Sequence, residues 1–137
     1  MSVTVEHPTA TLDQPSLNRV LQSVLGTVAT KTTLPMLTNF LLEAEGNQLR
    51  VTGTDLDVAM VSSIPATHDR SFRVAVNARR MAEVVRELPK VEVAIEVDRH
   101  RVTLRSGSTV IHIPAADADE FPSLPELRFE QIGRAHV

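Results

Sequence analysis

Four basic residues, Arg79, Arg80, Arg86 and Lys90, lie in a segment of helical periodicity near the middle of the chain. At about 100° per residue, Arg79, Glu83, Arg86 and Lys90 fall within roughly 60° of one another, opposite an apolar stripe of Met81, Val84, Val85 and Leu88. A mostly basic helix face can hold phosphates without reading bases. Arg79 and Arg80 also occupy the first helical turn, where the helix dipole is positive and disfavours a cation by about a few tenths of a kcal/mol. That placement, without local compensation, points to a partner that attracts positive charge. On an earlier helix Arg19 and Gln22, with Asn18 beside them, make a second polar face without an acid, and Lys31 follows in a Thr-rich loop. From pattern alone an ordinary solvated helix face is the commoner explanation, and a nucleic-acid face is the alternative.

Other residue sets offer less. Asp55 and Asp57 form an Asp-x-Asp pair that could hold Mg²⁺ beside a phosphate, but the reading favoured by Gly53-Thr54 is a turn in which Asp55 accepts backbone N–H groups and Asp57 opens the next strand. The five histidines, His7, His68, His100, His112 and His136, include no i, i+4 pair, and the chain has no cysteine, which argues against zinc, disulfides and thiol chemistry. His112, between Ile111 and Ile113, is expected to face outward on a strand. Ser106-Gly107-Ser108 reads as a hairpin turn rather than a phosphate loop. No nucleophile with a neighbouring base is visible, so the expectation is a protein that is not an enzyme and carries no metal or cofactor.

These residues need a scaffold, and the composition allows one. With 137 residues, 42% hydrophobic and 23% charged, the chain can form one domain that buries roughly two-thirds of its unfolded surface. It has 4 Phe and no Tyr or Trp, which disfavours binding of single strands by stacking. Net charge is −3, from 14 Lys and Arg against 17 Asp and Glu, so a polyanion requires a segregated basic face. No apolar run approaches the ~20 residues of a membrane span and no signal peptide is evident, which predicts a soluble, cytoplasmic protein.

Leu17, Val20, Leu21 and Val24 mark a first helix, capped by Asp13, with Pro15 in its first turn and Gly26 at its end. Strands are predicted over residues 2–6, 36–44, 48–52 and 56–64, with a Gly46-Asn47 turn and a break at Gly53-Thr54. The order then repeats: a strand over residues 71–76, a helix capped by Asn77 and stopped by Leu88-Pro89, and strands over residues 91–97, 100–105 and 109–113. Arg50-Val51-Thr52 and Arg101-Val102-Thr103 fall at the corresponding hairpin of each half. The expected fold is α+β, two β-α-β-β-β repeats forming an antiparallel sheet with two helices packed on one side.

Three segments together resemble a known family: Leu34-Pro35-Met36-Leu37-Thr38-Asn39-Phe40-Leu41-Leu42, Val51-Thr52-Gly53-Thr54-Asp55-Leu56-Asp57, and Arg105-Ser106-Gly107 with Phe121-Pro122-Ser123-Leu124. In order and spacing they are similar to the N-terminal domain of the bacterial sliding clamp, the beta subunit of DNA polymerase III. Asn77-Ala78-Arg79-Arg80 and Leu88-Pro89 stand where that family has its second helix. The resemblance implies a domain over residues 1–127 of a processivity factor that encircles double-stranded DNA and tethers the replicative polymerase. It implies a ring of two three-domain subunits joined head to tail, with helices lining the hole. Arg19, Lys31, Arg79, Arg80, Arg86 and Lys90 would then meet DNA, and Ile111 and Ile113 would lie at the subunit interface. Polymerase and clamp loader would bind through domains outside this chain. The last seven residues, Gln131-Ile132-Gly133-Arg134-Ala135-His136-Val137, resemble a translated sequencing adapter, so residues 128–137 are expected to be a tail whose residues 131–137 are non-native, on a truncated chain. The competing reading is an isolated α+β protein-interaction module with no DNA role.

Overall fold

The computed structural model describes residues 7–122; the strand expected over residues 2–6 and the tail over residues 128–137 lie outside them. The elements are β1 (Thr9–Asp13), α1 (Gln14–Leu25), a 3₁₀ turn (Pro35–Thr38), β2 (Asn39–Glu45), β3 (Gln48–Thr54), β4 (Ala59–Pro65), β5 (Thr67–His68), β6 (Phe72–Asn77), α2 (Ala78–Glu87), β7 (Glu92–Val97), β8 (Arg101–Ser106), β9 (Thr109–Ala116) and a second 3₁₀ turn (Ala118–Glu120). The strands form one antiparallel sheet in the order β4-β3-β2-β6-β9-β8-β7-β1-β5.

Both helices start on side-chain caps. The Asp13 carboxylate accepts from the Ser16 N–H at 2.9 Å and the Asn77 amide oxygen accepts from the Arg80 N–H at 2.8 Å, each satisfying a donor that has no partner within its helix. Gly26 closes α1, and Leu88, held extended ahead of Pro89, closes α2. The helices run antiparallel: the buried Gln14 amide at the start of α1 donates to the Val85 carbonyl near the end of α2 at 2.7 Å. Leu17, Leu21 and Val24 of α1 and Met81 and Val85 of α2 join Phe40, Leu42, Leu49, Val51, Ile95, Leu104 and Ile113 of the sheet in one core.

The apolar stripes shift slightly from expectation. Val20 and Val84 sit at the rim of the core, and Gln14, Ala78 and Ala82 are buried instead. Small alanines let α2 approach its neighbours closely, and Gln14 is tolerated inside because its amide is bonded.

Strand boundaries also move. The strand expected from Met36 begins only at Asn39, since Pro35 pre-sets a 3₁₀ turn that the Thr38 hydroxyl closes by donating to the Pro35 carbonyl at 2.7 Å. Gly53-Thr54 does not break β3. Glycine is needed there because a Cβ would stand 2.8 Å from Val24 Cγ1 and 2.9 Å from Val28 Cγ2, so α1 and the loop after it pack directly on this backbone. The next strand starts at Ala59 rather than Leu56, because Thr54 and Asp55 tie residues 55–58 into a turn. Thr54 Oγ1 accepts from the Leu56 N–H and donates to the Val58 carbonyl, both at 2.9 Å, and Leu56 is held in the left-handed region at φ 82°.

The internal repeat is real but the shared tripeptide does not mark it. Gln48 follows a two-residue turn and opposes Pro65; Arg101 follows the two-residue Arg99-His100 turn and opposes Pro114. Structurally Gln48 corresponds to Arg101, and Arg50 to Thr103, so the two Arg-Val-Thr runs are out of register by two residues. Burial alternates with period two, so a shift of two preserves the face and leaves the coincidence undetectable in the pattern.

Candidate nucleic-acid interface

Helix α2 presents Arg79, Arg80, Glu83, Arg86 and Glu87 to solvent while Ala78, Met81, Ala82 and Val85 are buried beneath them. Lys90 is exposed just beyond the Leu88-Pro89 stop. No acidic residue compensates the first turn. On the neighbouring helix Arg19 and Gln22 are exposed. The Gln22 amide lies 3.4 Å from Asn18 Oδ1 and 3.5 Å from the Ala82 carbonyl, which sets the polar face of α1 directly beside α2. At the other end of the pair, a cleft lined by Leu25, Val28, Ala29, Thr30, Thr38, Asn77 and Arg79 brings the loop that carries exposed Lys31 up to the first turn of α2. The six cations singled out from sequence therefore project from one helical layer, contributed by two helices, the residues after α2 and the loop after α1.

The charges are sorted between the layers. On the strands, three of the four arginines meet carboxylates: Arg50 and Arg73 reach Glu43 at 3.4 and 3.0 Å, Arg73 also reaches Asp119 at 3.4 Å, and Arg105 reaches Glu96 at 3.2 Å, while Arg101 at the start of β8 has no carboxylate at salt-bridge distance among the described residues. In the helical layer only Arg86, among the described residues, has such a partner, Glu87 at 3.7 Å with both side chains exposed. Arg19, Lys31, Arg79, Arg80 and Lys90 have no carboxylate at salt-bridge distance among the described residues. Exposed pairs add little stability. Their effect is on the field, quenching positive charge on the sheet and leaving it on the helices.

The Asp-x-Asp segment is a turn. Asp55 Oδ1 accepts from the Asp57 and Val58 N–H groups at 3.0 and 2.9 Å, and these bonds, Val58 first, hold its carboxyl below the usual carboxylate range. Asp57 is exposed within the turn and does not open β4. No group of three or more metal-ligating side chains occurs among the described residues. His112 is exposed on β9, as expected, with its ring nitrogen 2.9 Å from Thr103 Oγ1.

Ile111 and Ile113 divide. Ile113 is 1% exposed and belongs to this domain's own core, so its side chain is not offered to a partner. Ile111 is half-buried at the rim, and Val110, on the opposite face of the strand, is 46% exposed. β9 also runs further than expected, to Ala116, where Ala115 and Ala116 pair with Val76 and Ala75 of β6. After it, Ala118 and Phe121 fold back onto Leu41 and Met36 outside the main core.

Comparison with known proteins places this arrangement. Residues 10–125 match the sequence profile of the DNA polymerase III beta subunit, N-terminal domain. The beta sliding clamp of Bacillus subtilis is 32% identical over 126 residues, which cover 85% of this chain and 33% of the relative. That of Escherichia coli is 31% identical over 122 residues, covering 88% and 33%. Among solved structures, the Bacillus subtilis DNA polymerase sliding clamp superposes with a TM-score of 0.83 at 32% identity, over 88% of this chain and 34% of that one. The Pseudomonas aeruginosa sliding clamp bound to griselimycin does so with a TM-score of 0.81 at 30% identity, over 87% and 33%. The chain thus spans about a third of the length of the relatives it matches. No helix among the described residues is long and apolar enough to cross a membrane.

Proposed function

The chain belongs to the DNA polymerase III beta subunit family, matching its N-terminal domain, and on that basis we propose that it is the first domain of a cytoplasmic DNA sliding clamp. In the complete ring, α1 and α2 face the hole, where Arg19, Lys31, Arg79, Arg80, Arg86 and Lys90 contact the phosphates of an encircled duplex. The sheet faces outward, and the strand carrying Ile111 and Ile113 meets the third domain of a second, head-to-tail subunit. Polymerase and clamp loader engage domains beyond this chain. The ring tethers the polymerase and performs no phosphoryl chemistry.

The observation that carries this reading is the sorting of charge: three of the four strand arginines paired, cations almost all without a carboxylate partner on the helical layer among the described residues, in a chain of net charge −3. Phosphate contacts from such a layer are indifferent to sequence and sum to useful affinity, while each is weak enough to exchange as the ring moves. The test is a full-length clamp carrying this chain as its first domain, placed on DNA by a clamp loader. It should stay on closed circular duplex and escape once the circle is cut. Replacing Arg79, Arg86 and Lys90 by alanine should shorten retention on circles without lowering the thermal midpoint of the protein. Equal loss from circular and linear DNA would overturn the proposal.

A further inference from the structure

Helix α2 carries its charges in the order least suited to its own stability. Arg79 and Arg80 stand in its first turn and Glu87 is its last residue, so cations meet the positive end of the helix dipole and an anion meets the negative end. Between them lies Glu83, four residues after Arg79, three after Arg80 and three before Arg86. Those spacings bring side chains together on one helix face. A base followed by an acid at i, i+4 is the weaker order for a helical ion pair, and the Glu83 carboxylate makes no ion pair or hydrogen bond among the described residues.

The acid is also out of place in its layer. Helix α1 contains no Asp or Glu, and α2 contains only Glu83 and Glu87. Glu87 lies beside Arg86 at 3.7 Å. On the sheet, Glu43 and Glu96 reach arginines at between 3.0 and 3.4 Å, so carboxylates of this chain that are placed to quench an arginine do so. Glu83 caps no helix, pairs with no cation among the described residues and is exposed. What it changes is the field above α2.

We infer, on the reading that α2 faces an encircled duplex, that Glu83 limits the hold of the helical layer on phosphates, so that the ring moves along DNA instead of resting on it. Within the Debye length of ~10 Å at about 0.1 M salt, a carboxylate one helical turn from Arg79, Arg80 and Arg86 repels the phosphates that they attract. It also competes with those phosphates for the guanidinium groups. One unit charge roughly 6 Å from a phosphate in water changes binding by about threefold, and by about tenfold when both subunits of a ring contribute it.

The experiment tracks single fluorescent full-length clamps that carry this chain as their first domain, placed by a clamp loader, as they diffuse along stretched duplex at about 0.1 M salt. Glu83→Gln should diffuse about threefold to tenfold more slowly than the wild type, with an unchanged thermal midpoint, and the difference should fade as salt is raised. Glu83→Asp keeps the charge and should match the wild type. So should Glu120→Gln, the same change of charge at an exposed position on the second 3₁₀ turn. A Glu83→Gln clamp that diffuses like the wild type overturns the inference. It is also overturned if Glu120→Gln or Glu83→Asp slows the clamp equally, or if Glu83→Gln melts lower, since net charge, shape or folding then accounts for the change. Replacing Arg79, Arg86 and Lys90 by alanine tests the underlying contact separately: faster diffusion upholds it even where Glu83→Gln has no effect, and unchanged diffusion overturns the contact and the inference together.

Discussion

Asp13, Asp55 and Asp69 are the residues whose ionisation is tied most clearly to the fold. Each carboxylate accepts a backbone N–H, from Ser16, from Val58 and Asp57, and from Thr9 respectively, and these bonds hold all three below the ordinary value of 3.8. A carboxyl depressed in the folded state stabilises it above the unfolded pKa, and that contribution is lost as pH falls through the folded pKa. The thermal midpoint should therefore hold steady from neutrality down to roughly pH 4 and fall below it. In calorimetry across that range, a D13N/D55N/D69N variant should melt lower at pH 7 and show a shallower acid slope. A slope equal to that of the wild type would place the acid sensitivity elsewhere. The turn role of Asp55 was legible in the sequence, because Asp after Gly-Thr is turn chemistry. That Asp57 stays in the turn was not, because it depends on the Thr54 hydroxyl closing both sides of the loop.

Among the elements, the contact of α1 with β3 sets the spacing of the helical layer. Gly53 has no room for a side chain between Val24 and Val28. Gly53→Ala should cost about 1–3 kcal/mol by forcing helix and strand apart, measured by urea unfolding. Gly26→Ala is the control, since its Cβ would meet only the Ser23 carbonyl at 3.6 Å, and it should be neutral or stabilising by up to about 1 kcal/mol. The helices were legible from their stripes, caps and stops because those signals are local. Strand ends were less so. Pro35 and Pro114 look alike in sequence, yet one opens a 3₁₀ turn and the other sits within β9, on the flank where no neighbouring strand needs its missing N–H.

For the whole molecule, the helical layer should dominate the salt dependence of duplex binding. In a complete ring, neutralising Arg79, Arg86 and Lys90 should reduce the slope of log affinity against log salt by about 0.9 for each phosphate left without its cation, or roughly 2.7 for all three. Fluorescence anisotropy with a duplex at several salt concentrations measures it. Neutralising Arg50, Arg73 and Arg105 should leave the slope nearly unchanged, because their charges are already met by carboxylates on the sheet. The α+β class, the two repeated units, both helix caps and the basic outward face of α2 could be read from the chain alone, since they rest on periodicity and on contacts within a few residues. Folding in three dimensions was needed to establish which arginines are quenched, that Lys31 and Arg19 share a layer with α2, that Ile113 is core, and that β4 pairs only with β3 among the described residues. Each of those depends on groups that are distant along the chain and adjacent across a sheet or between helices, and no local pattern records such neighbours.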